Sequence, residues 1–420
     1  MVVELINTGS ELMLGRVLNT HQQWLCRQLA DLGYEVSRQV AVPDAGPQIQ
    51  QAVREALGRA DLIITTGGLG PTSDDLTRAL IAELLGKTLR EDPDVLAHIG
   101  EFFKIRNRPM PDRVRVQALV PIGATVLSNP HGTAPGLALK VEPNPFRSGD
   151  NASCVVLLPG PPRELRPMFT NSVVPLLRRE LPLVTNFVSA ILRTTGLGES
   201  LVEERVAGAL APLTAAGLEL GYCARPGQVD VRVAARGFGA QRLASQAEQI
   251  VRAQLQKHIF ADGDEELAAV IVRELTARKK TLALAESCTG GLIAHELTNV
   301  PGASAVLLAG VVAYSNEAKQ KQLGVAATTL EQHGAVSAPV AREMAEGVKT
   351  RLGADYAVSV TGIAGPSGGT EAKPVGTVFI GVAGPFETVV EKQFNPYDRE
   401  TFKQVTALQA LEMLRQKVSR

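Results

Sequence analysis

The feature that most constrains this chain is an alternation, present from its first residues, of short apolar runs with stretches of helical periodicity. Residues 2–6, 35–42 and 62–66 are apolar runs of strand length, and residues 19–32 and 48–58 between them carry the helical pattern. Strand, helix and strand at this spacing fold as parallel βαβ units with right-handed crossovers. A doubly wound α/β domain is therefore expected over residues 1–170, with further strands at 125–127, 138–141 and 155–158. Residues 142–153, rich in Pro, Asn, Gly and Ser, read as an exposed excursion between paired strands.

After the proline-dense LPGPPREL at 158–165 the pattern changes to a strand at 188–194, a helix at 199–210, an alternating run at 229–235 and a helix at 240–258. This predicts a small α+β connector domain over residues 171–260. The acidic segment 262–266 opens another helix, and residues 281–285 begin a second α/β block that occupies 261–420. The expected fold class is α/β, with two doubly wound α/β domains joined by a small α+β connector. A chain of 420 residues exceeds what one core usually organises, which agrees with three domains.

Charge narrows the partners. Lys plus Arg and Asp plus Glu balance at 43 each, so no general cationic field is available to hold nucleic acid or an anionic membrane, and a small-molecule ligand fits better. Cys26, Cys154, Cys223 and Cys288 lie far apart with no C-x-x-C pair, which argues against a zinc site or a disulfide framework and for a reducing compartment. Residue 1 leads straight into the first apolar run without the basic region of a signal peptide. The longest apolar stretch, 303–314, is broken by Gly310 and falls short of the roughly 20 residues that span a bilayer. A cytoplasmic location is the expectation.

In the last third, the strand at 281–285 discharges into Glu286, Ser287, Cys288, Thr289, Gly290 and Gly291 ahead of an apolar helix at 292–297. Small residues at such a junction let backbone N–H groups face a ligand. A strand at 311–314 leads into a helix with Asn316 as the expected N-cap, and a strand at 356–360 enters the glycine-rich 361–369. Three polar turns at strand ends converge where open α/β sheets bind ligands.

The ordered motifs ESCTGG at 286–291, YSNEAK at 314–319, HGAVS at 333–337 and TGIAGPSGG at 361–369 resemble the CinA C-terminal family, from about residue 266 to the end. That family consists of nicotinamide mononucleotide deamidases. The resemblance implies conversion of nicotinamide mononucleotide to nicotinic acid mononucleotide and ammonia, without a cofactor. Amide hydrolysis needs a nucleophile, a base and oxyanion donors. Ser287 supplies the hydroxyl, Lys319 becomes a base if burial lowers its pKa, and Tyr314 relays the proton or orients Lys319. On its residues alone Lys319 reads as a solvated helix lysine like Lys321 and Lys279; the motif it stands in gives it the other role. Cys288 is a rival nucleophile, but no His accompanies it, and a small buried core residue is the favoured reading. Backbone N–H groups near Thr289, Gly290 and Gly291 are the oxyanion candidates. The loop from Thr361 and Gly362 onward is expected to hold the ribose phosphate, with Arg399 as a phosphate clamp. In that region Tyr397 and Lys403 replace the family's usual Gly and second Arg.

The strand at 62–66 ends in Gly67, Gly68, Leu69, Gly70, Pro71, Thr72, Ser73, Asp74 and Asp75 before another helix. A glycine-rich turn feeding a helix is a phosphate cradle in principle. Two carboxylates would repel a bare phosphate, so either a bridging divalent cation is present or Asp74 or Asp75 caps the helix. NTGSEL at 7–12, Gly15 with Asn19, VPD at 42–44, GGLGPTSDDLT at 67–77 and LPGPPREL at 158–165 resemble the molybdopterin-binding fold of the CinA N-terminal domain. The resemblance places Asp44 and Asp75 on the aspartates that relatives use, adds Glu11, and implies an ADP-ribose pyrophosphatase dependent on a divalent metal, Mg2+ being the expected ion. His21 stands where the family commonly has Asn. RTTGLGES at 193–200 and the strand at 229–235 resemble the linker domain of full-length CinA, whose expected role is structural. A homodimer acting on a pyridine nucleotide and ADP-ribose is what the family resemblance implies. A non-catalytic nucleotide or pterin binding module is the alternative for the first domain.

Overall fold

Val3–Thr8 is buried along its whole length because parallel strands flank it on both edges, Val36–Val42 on one side and Leu62–Thr66 on the other. The sheet has six strands and continues from Leu62–Thr66 through Ser153–Leu158 and Gly136–Val141 to Thr125–Leu127. Its last two pairings are antiparallel, so a doubly wound half is finished by an antiparallel edge. The parallel strands are continuous apolar runs because helices cover both faces. Ile49, Val53, Ile81 and Ile99 pack on one face, and Leu25, Leu29, Leu165 and Phe169 on the other.

The computed structural model describes residues 1–149 and 151–418 and divides into two compact units, Met1–Phe187 and Val188–Arg420. Asp150, within the excursion read from the sequence, lies outside the described residues. The second unit holds two sheets. Its connector sheet has four strands in the order Glu219–Arg225, Gln228–Arg236, Phe187–Thr195 and Ile259–Asp262, with helices Glu199–Ala215 and Ala240–Leu255. Two of these strands, Glu219–Arg225 and Ile259–Asp262, go beyond the sequence reading. The first lacks an apolar alternation and is extended because it pairs antiparallel with Gln228–Arg236 across Pro226 and Gly227.

The other sheet has five strands, in the order Leu307–Val312, Leu282–Glu286, Tyr356–Gly362, Thr377–Ala383 and Thr388–Phe394. The first three are parallel and the last two antiparallel. In both α/β sheets the first strand has its successors on opposite edges, which opens a crevice at its carboxyl end. The strand expected at 311–314 ends earlier, at Val312. The N-cap of Asn316–Leu323 is Ser315, whose hydroxyl accepts from the Ala318 N–H, and not Asn316. No helix among the described residues is long and apolar enough to cross a membrane.

Arg193, which is 1% exposed, ties the connector to the segment 264–266 that opens the last block. Its guanidinium donates to the Asp264 and Glu265 carbonyls at 3.1 and 2.9 Å, to Gln228 Oε1 at 3.1 Å and to Glu266 at 3.0 Å, with Asp230 at 3.3 Å. Removing one side of a buried ionic network leaves its partners uncompensated, so Arg193→Ala is expected to destabilise the second unit by about 3–5 kcal/mol. Urea denaturation checks this; a loss below about 1 kcal/mol would place the network among surface pairs of little worth.

Candidate functional sites

In the second unit the crevice lies where Glu286 pairs with Val312 on one side and Val360 on the other. Three chain segments leave the sheet there: the turn Ser287 to Gly291, the segment Ala313 to Ser315, and the loop after Gly362. Lys319, one turn into its helix, reaches back under this edge. Its Nζ lies 3.0 Å from Ser287 Oγ, 2.9 Å from the Ala313 carbonyl and 3.4 Å from the Tyr314 carbonyl. Lys319 is 1% exposed, and burial pulls its pKa below the ordinary lysine value. A neutral amine has two hydrogens and one lone pair. Lys319 Nζ is placed to donate to Ser287 Oγ when charged, and in the neutral form, with the two carbonyls taking its hydrogens, its lone pair is left for the Ser287 O–H.

Tyr314 is placed differently from the expectation. Its phenol accepts from Arg399 at 2.8 Å, while only its backbone carbonyl meets Lys319. Lys319 is oriented by main-chain carbonyls, and the Tyr314 side chain belongs to the mouth of the crevice, 61% exposed. Arg399 also donates to the Gly365 carbonyl at 2.8 Å, which fixes the guanidinium between the glycine-rich loop and Tyr314. Lys403, one turn further along Arg399–Val418, stands over the Ser287 turn: a Cβ built on Gly290 would meet its Nζ at 3.9 Å.

The turn itself corrects the oxyanion assignment. The Gly290 N–H donates to the Ser287 carbonyl at 3.1 Å, and the Gly291 N–H to Glu286 at 2.9 Å, so neither is free for a ligand. The Thr289 hydroxyl also goes to Glu286, at 2.7 Å. Thr361 is likewise turned inward, its hydroxyl donating to the Ala335 carbonyl at 2.8 Å. Gly362 is needed for space, since a Cβ there would sit 2.8 Å from Val378 Cβ. Cys288 packs in the apolar core beneath the sheet, where burial pushes its thiol up to about 12. It is a protonated core residue. Glu286 was not singled out from the sequence. A carboxylate at a strand end, followed within eight residues by Thr289 and a helix start, was the available signal.

In the first unit a cleft of about 400 Å3 is lined by Thr8, Glu11, Asp44, Gly67 to Gly70, Asp74, Asp75, Gln117 and Glu164, among others. Most of the residues expected there are brought together. Gly68 has φ +66 and a Cβ on it would fall 2.0 Å from Thr77 Oγ1, so only glycine closes this turn. The Gly67 N–H donates to the Leu158 carbonyl, whereas those of Gly68, Leu69 and Gly70 have no acceptor among the described residues. Thr72 does not line the cleft. Its N–H and hydroxyl donate to Asp75 Oδ2 at 2.9 and 2.5 Å, which sets the direction of Asp75. Neither Asp74 nor Asp75 caps Thr77–Leu84, because that helix has no side-chain cap.

Asp44 accepts from the Ser10 N–H at 2.8 Å through Oδ2, and both Asp44 and Asp75, each hydrogen-bonded through Oδ2, line the cleft. Among the described residues no group of three His, Cys, Asp or Glu side chains is gathered to hold a metal. A divalent ion bound there would keep several waters and take one or two carboxylates plus phosphate oxygens of a ligand. Two buried groups missed from the sequence shape the loop: Arg78 and Gln117 donate to the Leu69 carbonyl at 3.3 and 3.4 Å. His21 lies against the Gly160 carbonyl, and burial lowers its pKa.

Three family models match in order along the chain. They are the "Probable molybdopterin binding domain" at residues 4–179, the "Damage-inducible protein CinA KH domain" at 189–261 and the "CinA C-terminal domain" at 264–418. The chain belongs to the CinA family. A CinA-like protein of Akkermansia muciniphila is 42% identical over 414 residues, covering 97% of this chain and 95% of that protein. Another CinA-like protein, of Gemmatimonas aurantiaca, is 40% identical and covers 100% of this chain and 97% of that protein. Among solved structures, the competence/damage inducible protein CihA of Agrobacterium tumefaciens is 41% identical and covers 37% of this chain and 94% of that one, with a TM-score of 0.36.

Proposed function

We propose that the C-terminal site hydrolyses the carboxamide of nicotinamide mononucleotide with Ser287 as nucleophile. The observation that carries this reading is the buried Lys319 amine 3.0 Å from Ser287 Oγ. Lys319 takes the hydroxyl proton as Oγ bonds to the carboxamide carbon. The resulting ammonium returns that proton to the departing nitrogen, ammonia leaves, and water attacks the acyl-Ser287 ester with Lys319 again as base. The sum is one water consumed, with nicotinic acid mononucleotide and ammonia released. Arg399 and Lys403 supply positive charge at the mouth for the ribose phosphate, and no cofactor is required. Tyr314 holds Arg399 in place in this reading.

For the N-terminal cleft the proposal is a metal-dependent ADP-ribose pyrophosphatase. The free N–H groups of Gly68, Leu69 and Gly70 support phosphate binding. Asp44 and Asp75 would hold a Mg2+ ion, which when bound neutralises charge on the pyrophosphate oxygens. Glu11 and Asp74 line the same wall. Retention of a nucleotide or pterin without turnover remains the second reading, because the same cradle serves binding. The protein is proposed to work in the cytoplasm as a homodimer on small molecules and not on nucleic acid or membranes.

Incubation of the purified protein with nicotinamide mononucleotide and, separately, with ADP-ribose plus magnesium tests both, by identification of the products. Asp75→Asn is expected to depress ADP-ribose cleavage by about tenfold or more and to leave deamidation intact, since it removes charge at the first site only. Equal loss of both reactions in a folded protein would contradict two separate sites.

A further inference from the structure

We infer that Glu286 is a positioning residue of the C-terminal site: its carboxylate occupies the donors of the turn and helix after Ser287, so that the main-chain N–H groups of Cys288 and Thr289 receive the oxyanion. The inference rests on the amidase reading of that site. Glu286 is 1% exposed and accepts from the Thr289 hydroxyl at 2.7 Å and from the N–H groups of Gly291, Ile293 and Ala294 at 2.9, 3.2 and 2.9 Å. A buried carboxylate is costly without such partners. Here the donors satisfy it, in the favourable field of a helix start.

Two consequences follow from which donors are used. Ser287 N–H is bonded to the Val360 carbonyl, Gly290 N–H to the Ser287 carbonyl and Gly291 N–H to Glu286, so none of the three serves an oxyanion. The Cys288 and Thr289 N–H groups, by contrast, have no backbone acceptor among the described residues. The substrate phosphate, repelled by the carboxylate from this helix start, is left to Arg399 and Lys403. Glu286 thereby holds the left-handed Gly290 and Gly291, with φ of +63° and +94°, that aim the Cys288 and Thr289 amides.

Glu286→Gln tests this in the full-length protein, because the amide keeps the shape but sets an NH2 group against N–H donors. Expected is a fall in kcat of about 100-fold, the effect of losing one oxyanion donor. KM for nicotinamide mononucleotide should stay within about threefold, since the phosphate contacts are elsewhere. The acid limb of the kcat profile should not move, because Lys319 is untouched. If Glu286→Gln does not fold, Thr289→Val removes one donor and keeps the carboxylate, with a fall in kcat of about tenfold and an unchanged KM expected. A wild-type kcat in these variants, a loss carried by KM, or a displaced pH limb overturns the inference alone. A wild-type protein that releases no ammonia from nicotinamide mononucleotide overturns the amidase reading and this inference together.

Discussion

Lys319→Ala is expected to lower nicotinamide mononucleotide turnover by about 100-fold or more while leaving KM nearly unchanged, the effect of removing a general base. Lys319→Arg should not restore it, because a guanidinium does not release its proton near neutral pH. The wild-type pH profile carries the same argument. Burial lowers the Lys319 pKa, so the amine is neutral, and able to act as a base, at pH values where a solvated lysine is charged. As pH falls through that lowered pKa the amine takes up a proton and turnover must fall with it. The acid limb of kcat against pH should therefore lie below the ordinary lysine value of about 10.4 and vanish in Lys319→Ala. Full activity in Lys319→Arg would eliminate the role.

Ser287→Ala is expected to remove nearly all deamidation, a loss on the order of 10⁴-fold or more, whereas Cys288→Ala should retain most of it. The two side chains differ in what surrounds them. Ser287 Oγ meets the Lys319 amine in the crevice. Cys288 is packed with Ile293, Leu297 and Val360 in the core, and its thiol, pushed to about 12, stays protonated at neutral pH. Cys288→Ala removes buried volume, so its cost belongs in stability, about 1 kcal/mol for the cavity left by one sulfur. Assay of both variants after confirming their folds by circular dichroism separates the roles. Activity retained in Ser287→Ala and lost in a folded Cys288→Ala would reverse them.

Parallel strands were legible in both α/β domains because runs such as Leu62–Thr66 and Leu282–Glu286 open on consecutive apolar residues and turn polar only at their carboxyl ends, as strands covered on both faces do. The strand Glu219–Arg225 was not, because its extended form depends on a partner brought in by Pro226 and Gly227 and its side chains show no alternation. At the C-terminal site the residues were legible and their connections were not. The convergence of strand ends brought the Ser287 turn and the segment before Lys319 to one sheet edge and the family resemblance singled out Lys319, but a chain of letters does not say that the Lys319 amine is held by the carbonyls of Ala313 and Tyr314, or that the Tyr314 phenol belongs to Arg399. Gly290 and Gly291 were misjudged as free N–H donors for a related reason. Glycines mark a turn that permits close approach, but which N–H groups remain free depends on where a neighbouring carboxylate points. At the N-terminal cleft, the glycines and aspartates were visible, while the donation of Arg78 and Gln117 to the Leu69 carbonyl arises only in three dimensions.

In the proposed reaction Ser287 carries the acyl group. Rapid acid quench of the full-length protein turning over nicotinamide mononucleotide, followed by proteolysis and mass spectrometry of the peptide containing Ser287 and Cys288, measures it directly. Expected is a nicotinoyl-nucleotide ester on Ser287, present in Cys288→Ala and absent in Ser287→Ala. An adduct on Cys288, or ammonia release by Ser287→Ala at the wild-type rate, would contradict it.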